Sequence, residues 1–104
     1  MDYQVVWSPA AYQDVESLAE YISRDSDFYA RAVVEKILET ARNLKDFPMA
    51  GRIVPELGDK DIRERFVYSY RLIYRLVGYR ITILAVIHGK RLLDPFKESD
   101  RFSL

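Results

Sequence analysis

Glu56, Arg71 and His88 are residue types that together can cleave a phosphodiester bond. An imidazole exchanges protons near neutral pH, so His88 can act as general acid or base, while a guanidinium such as Arg71 stabilises charge developing on a phosphoryl oxygen. Glu56 is the loop carboxylate that can complete such a set. Each also has a plainer reading: a lone histidine is usually a polar residue at a strand end, and a loop carboxylate usually faces solvent. A second pattern points to binding. Arg71 and Arg75 alternate with Ile73 in one segment, and Thr82, Leu84, Val86 and His88 alternate in the next, so arginines share a strand face with aliphatics. Arginine pairs bidentately with carboxylate or phosphate while lying flat on apolar surface, which suits that face to an acidic peptide or a nucleic-acid backbone. The plainer alternative is a solvent face whose aliphatics satisfy strand propensity.

The elements that must position these residues are legible from periodicity. Tyr3 to Trp7 reads as a strand, closed by Ser8-Pro9, where serine caps and proline fits the first helical position. Ala11, Val15, Leu18, Ala19 and Ile22 then recur at three and four, predicting an amphipathic helix over about 9–24. Ser23 to Ser26 supplies a turn before a second helix to about 45, with Ala30, Val33, Ile37, Ala41 and Leu44 on one face and Pro48 beyond its end. The period changes to two from Ile62, predicting strands at about 62–68, 70–77 and 80–88 in an antiparallel meander. The fold class is therefore α+β, a helical hairpin packed on an antiparallel sheet.

A two-residue loop at Gly78-Tyr79 places residue 75 opposite 82, 73 opposite 84 and 71 opposite 86. One face then collects Tyr70, Leu72, Tyr74, Leu76, Ile81, Ile83, Ala85 and Ile87, the expected core beneath the helices. The other collects Arg71, Ile73, Arg75, Thr82, Leu84, Val86 and His88. A three-residue turn at 68–70 adds Arg63, Arg65 and Val67 to this second face, which is expected to lie open for a partner. His88 falls opposite Ser69, diagonal to Arg71, at roughly 7 to 8 Å.

Composition narrows the partners. Sixteen basic and sixteen acidic residues give a net charge of +0, so bulk electrostatic binding of nucleic acid has no support. The distribution is uneven: residues 1–50 hold five Lys/Arg against nine Asp/Glu, a net of −4, and residues 51–104 hold eleven against seven, a net of +4. Without cysteine, and with one histidine, neither disulfides nor a structural metal site is expected. No window approaches the roughly 18 apolar residues of a membrane span and the start has no signal-peptide pattern, so the expected location is cytoplasmic and no membrane partner is expected. Phosphate-binding glycine loops, nucleophile elbows and zinc-binding His-Glu-x-x-His motifs are all missing, and no cofactor is expected. Residues 1–93 are read as one domain followed by a tail, 94–104, in which Phe96 and Phe102 can dock.

Four motifs occur in order: Trp7-Ser8-Pro9-Ala10-Ala11, the loop Pro48-x-x-Gly51-Arg52-x-Val54-Pro55-Glu56-Leu57, the strand Tyr70-Arg71-Leu72-Ile73-Tyr74-Arg75, and Val86-Ile87-His88-Gly89-Lys90-Arg91. Their order over residues 3–92 closely resembles the ParE branch of the RelE/ParE toxins. The resemblance implies the toxin of a type II toxin-antitoxin module, neutralised by a ParD-like antitoxin whose C-terminal segment wraps it. ParE-like members poison DNA gyrase, whereas RelE-like members cleave messenger RNA on the ribosome.

By position Glu56, Arg71 and His88 match the catalytic pattern of the nuclease branch. The aromatic hydroxyl that commonly follows is missing, because Gly89 succeeds His88 and the tail has no tyrosine. Nuclease members also tend to be strongly basic, and a pI near 6.6 speaks against docking on ribosomal RNA. The resemblance therefore puts gyrase inhibition by binding first, with no catalytic residue of its own and no direct nucleic-acid contact. An mRNA endonuclease is the alternative, and an inactive relative kept as a binding module is a third reading. The expected partner-binding residues are Arg63, Arg65, Arg71, Ile73, Arg75, Leu84, Val86, His88, Lys90 and Arg91.

Overall fold

The computed structural model of the chain describes residues 2–90. Arg91 and the tail with Phe96 and Phe102 lie outside the described residues. The elements run β1 (Gln4–Trp7), α1 (Pro9–Ser23), α2 (Asp27–Asn43), β2 (Arg52–Ile53), β3 (Ile62–Val67), β4 (Tyr70–Val77) and β5 (Arg80–His88). They form one five-stranded sheet in the order β1-β5-β4-β3-β2, in which β1 runs parallel to β5 and the other pairs are antiparallel.

Local chemistry starts both helices where the sequence predicts. The Ser8 hydroxyl accepts the Ala11 N–H at 3.1 Å, and the Ser26 hydroxyl accepts the Tyr29 N–H at 3.0 Å, so each serine satisfies a donor that the first turn leaves without an intrahelical partner. The stripes Ala11, Leu18, Ile22 and Ala30, Val33, Ile37, Ala41 converge on Leu72, Tyr74, Ile81 and Ile83, as expected, and form the main core.

Three departures from expectation decide where the candidate residues go. The turn after β3 has two residues, not three: Val67 pairs with Tyr70, and Tyr68 adopts a left-handed φ of 53°. One residue fewer flips the strand, so Arg63 pairs with Tyr74 and Arg65 with Leu72, and with Val67 they belong to the helix-facing side rather than the second face. The β4–β5 ladder follows the predicted register from Val77 opposite Arg80 to Tyr74 opposite Ile83. A bulge then leaves Leu84 as an extra residue, so Ile73 pairs with Ala85 rather than Leu84, and Arg71 with Ile87 rather than Val86. Beyond the bulge the faces exchange: Val86 joins the helix-side core, while Ala85 and Ile87 join the opposite cluster.

The second face is also covered. Ile73, Leu84, Ala85 and Ile87 pack with Ile62 beneath Val54 and Leu57 of the connection between β2 and β3, so this sheet has a core on each side. The expected open face is therefore closed, with Ile73 at 0% and Leu84 at 3% exposure. Residues 48–61, punctuated by Pro48, Pro55 and Gly58, are the lid of that second core. Ile73→Ala is expected to destabilise the chain by about 2 to 5 kcal/mol, the range for an interior aliphatic truncation. Chemical denaturation measures it; a loss within about 0.5 kcal/mol, as at an open surface, would contradict the covered face.

Candidate functional site

Arg71 lies in β4 on the lid side, paired across to Phe66 and Ile87. Its guanidinium is almost fully engaged. Nη1 and Nη2 donate to the two carboxylate oxygens of Glu56 at 2.6 and 2.8 Å, a bidentate fork, and Nε donates to Oε1 of Glu64 at 2.6 Å. Glu64, opposite Ile73 in β3 and diagonal to Arg71, is itself 1% exposed. Its other oxygen accepts from Nε of Arg52 at 2.7 Å, and Arg52 lies over the Phe66 ring at 5.5 Å from its centroid. Four charges thus alternate in sign, Arg52–Glu64–Arg71–Glu56, from the sheet edge to the lid.

Electrostatics follow from this geometry. The hydrogen bonds from Arg71 hold the Glu56 carboxyl below its ordinary range, against the opposing effect of burial. The same contacts push the Arg71 guanidinium upward, Glu56 contributing most. The lid has a second anchor in Tyr74, whose hydroxyl accepts the Gly51 N–H at 2.9 Å and donates to the Pro48 carbonyl at 2.8 Å. Burial pushes that phenol upward, which favours the protonated form that can donate. Gly51 is required there: a Cβ would stand 2.6 Å from the Glu64 carbonyl and 2.7 Å from the Tyr74 hydroxyl. Arg63 reaches the same corner, donating from Nη1 to the Gly51 carbonyl at 2.9 Å.

Of the three candidates for phosphodiester chemistry, the fold brings two together and separates the third. Glu56 and Arg71 meet as an ion pair, but His88 pairs with Tyr70, not Ser69, and so projects from the helix side of the sheet. There its ring meets the Tyr70 ring edge-on at 5.7 Å, and its Nδ1 accepts the Lys90 N–H at 3.2 Å. The binding residues are likewise divided. Arg63, Arg65, Val86 and His88 lie on the helix side, Arg71, Ile73 and Leu84 on the lid side, and Arg75 pairs with Ile62 and Thr82. Glu64 was missed by sequence reasoning. The signal was an acid at an inward position of an alternating strand, where only a paired charge is tolerable.

Glu56→Gln tests the network. A carboxyl whose folded value lies below its ordinary 4.5 contributes stability above that pH and loses it as pH falls toward the folded value. The variant is expected to be less stable than the parent at pH 7 and to show a flatter loss of stability below about pH 4.5 in acid titrations of the unfolding midpoint. Parallel acid limbs would exclude the ion pair as a stabilising contact.

The family model described as "ParE toxin of type II toxin-antitoxin system, parDE" matches residues 5–93. No curated protein matches the chain. Among solved structures, a chain of the chromosomal ParDE toxin-antitoxin system from P. aeruginosa superposes with a TM-score of 0.70 at 19% identity, covering 85% of this chain and 97% of that one. At that identity the superposition establishes the shared fold, and the family match spans nearly every residue from β1 to the end of the sheet. This chain belongs to the ParE toxin family of type II ParDE toxin-antitoxin systems.

Proposed function

We propose that this ParE-family toxin arrests growth by binding DNA gyrase, with no bond-breaking step of its own, and that a ParD-like antitoxin silences it. The observation that carries the reading is the dispersal of the alternative nuclease set. Arg71 is held by two carboxylates, one of them sealed from solvent, while His88 stands on the other side of the sheet. A general acid and a charge stabiliser must converge on one phosphate, and here a layer of β-strand separates them. Purified chain is expected to inhibit gyrase supercoiling and to leave messenger RNA intact on ribosomes, and His88→Ala is expected to keep its growth inhibition. Ribosome-dependent cleavage lost on His88→Ala would replace this reading with the endonuclease.

The antitoxin needs a surface other than Ile73, Leu84 and Val86, which are interior. An apolar trough of about 530 Å³ runs between α1 and α2, lined by Trp7, Tyr12, Val15, Ala19, Val34 and Leu38. Glu16, Glu20 and Glu35 border it and its continuation along the hairpin. That chemistry fits an amphipathic helix of the antitoxin whose apolar stripe is flanked by Lys or Arg. Leu38→Glu, half-exposed in the trough, is expected to weaken antitoxin binding at least tenfold by calorimetry while the chain stays folded; unchanged affinity would remove the trough as its seat.

A further inference from the structure

The lid over the second core is held unevenly along its length. Its root is pinned firmly: the Tyr74 hydroxyl bonds both Gly51 and Pro48, Arg63 donates to the Gly51 carbonyl, and Arg52 and Ile53 pair with β3. Residues 54–61 form the tip, and their backbone bonds turn mostly inward. The Leu57 and Gly58 N–H groups donate to the Val54 carbonyl at 3.2 and 3.0 Å, the Asp61 N–H donates to Oδ1 of Asp59 at 2.9 Å, and Gly58 supplies a left-handed φ of 62°. At the base the two ends meet, where the Val54 N–H donates to the Ile62 carbonyl at 3.2 Å and the Leu76 N–H to the Asp61 carbonyl at 2.8 Å. A loop closed in this way keeps its own shape and can move as one piece.

Few side chains seat the tip. Val54 is fully buried and Leu57 half-buried against the cluster that holds Ile62 and Ile73. Between them Glu56 is, among the described residues, the one side chain of the tip with a polar bond to the sheet, and that bond goes to Arg71. The latch reaches the surface: the Glu56 side chain keeps 25% exposure, against 5% for Arg71 and 0% for Glu64. Releasing Glu56 does not leave the guanidinium uncompensated, because its Nε stays on Glu64 at 2.6 Å. A carboxylate flanked by two aliphatics thus plugs an apolar seat with a cation in its floor, and the plug names the chemistry that can replace it.

We propose that residues 54–61 are a displaceable flap: the tip lifts as a unit while the rest of the fold stays intact, and its seat takes an extended segment of a protein partner in which a glutamate lies between aliphatic residues. The incoming carboxylate replaces Glu56 on the Nη atoms of Arg71, and the flanking aliphatics take the places of Val54 and Leu57 over Ile62 and Ile73. A nucleic-acid phosphate meets a guanidinium as well as a carboxylate does, but it brings no aliphatic group for the apolar part of the seat. The seat lies apart from the trough between α1 and α2, and its opening does not depend on which macromolecule the toxin arrests.

The chain has no cysteine, so a single introduced thiol reports on its own position. Val54→Cys reports on the flap, and Val33→Cys, the same substitution at an equally buried site of α2 facing the main core, reports on global unfolding. In the native full chain the Val54→Cys thiol is expected to react with a maleimide about tenfold faster than the Val33→Cys thiol or more, and adding Glu56→Gln is expected to raise the first rate about fivefold and the second by less. The peptide acetyl-Ile-Val-Pro-Glu-Leu-Gly-amide, the chain's own residues 53–58, is expected to speed Val54→Cys labelling about twofold or more at about 5 mM, since a ligand of the open state raises its population. The counterpart with Gln for Glu is expected to have little effect. Equal rates at the two thiols, or one common factor from Glu56→Gln, would tie release of the tip to global unfolding and overturn the proposal. So would a Glu peptide without effect, a Gln peptide as effective, or an oligo-dT strand that matches the Glu peptide. A Val54→Cys rate that climbs with protein concentration alone would give the seat to a second copy and also sink it.

Discussion

The buried guanidinium of Arg71 is the constraint around which the lid side of this molecule is arranged. A charge removed from water is tolerated only where partners replace its hydration, and here Glu64 supplies one carboxylate from the neighbouring strand and Glu56 a second from the lid. Because Glu64 belongs to the sheet and Glu56 to the connection, satisfying Arg71 fixes the connection over the sheet. Val54 and Leu57 are thereby seated on Ile73, Leu84 and Ile87, and the second core exists. Arg52 completes the alternation by taking the remaining oxygen of Glu64. The network is weak evidence of net stability, since a well-packed apolar set can match a buried ion pair. Its contribution is positional: bidentate geometry admits one placement of the lid.

Much of the architecture was legible because local signals and burial agreed. Ser8-Pro9 and Ser26 cap helices where predicted, the three-and-four spacing of α1 and α2 marks the faces that are buried, and Gly78 at a φ of 60° makes the predicted tight hairpin. What failed did so at single residues. Tyr68 occupies a left-handed turn position with a bulky side chain, a placement that no turn rule proposes, and shortening that turn by one reversed both faces of β3. Leu84 is an aliphatic among aliphatics, so nothing in its neighbours betrays a bulge. The covered second face departs from expectation for a related reason. Leu72-Ile73-Tyr74 and Ile83 through Ile87 are nearly continuous apolar runs, the mark of strands buried on both sides, which a strict alternation of faces does not describe. Arginines in the other register positions encouraged that error, because one of them is an interior ion-pair partner.

Charge asymmetry along the chain takes on a physical meaning once the surfaces are placed. Among the described residues, the basic second half does not make one continuous track. Arg71 is interior, Arg63 is tied to the Gly51 carbonyl, and Arg52 is committed to Glu64 and Phe66, so cations that looked like a stripe in sequence are dispersed in space. The acidic first half is more coherent. Glu16 edges the apolar trough of the hairpin, and Glu20, Asp27 and Glu35 edge its continuation, where Arg31 is the one cation among the described residues. That concave surface therefore carries a net negative charge, which disfavours a phosphate backbone and favours protein segments with positive flanks.

The bulge at Leu84 bears most directly on what the molecule can do. Without the extra residue, alternation from Ile83 onward would carry His88 to the lid side, beside Arg71, and an acid-base group would stand next to a charge stabiliser. With it, Val86 turns toward the helices and His88 emerges among tyrosines. Arg71 is buried between two carboxylates, and His88 stands on the other side of the sheet. One inserted residue thus separates two arrangements of the same three side chains: a converged acid-base site, or an ion pair on one side of the sheet with the histidine on the other. The second is the arrangement that a toxin acting by grip alone can use, since a clamp needs a stiff two-sided sheet and concave surfaces around it more than it needs a proton in the right place.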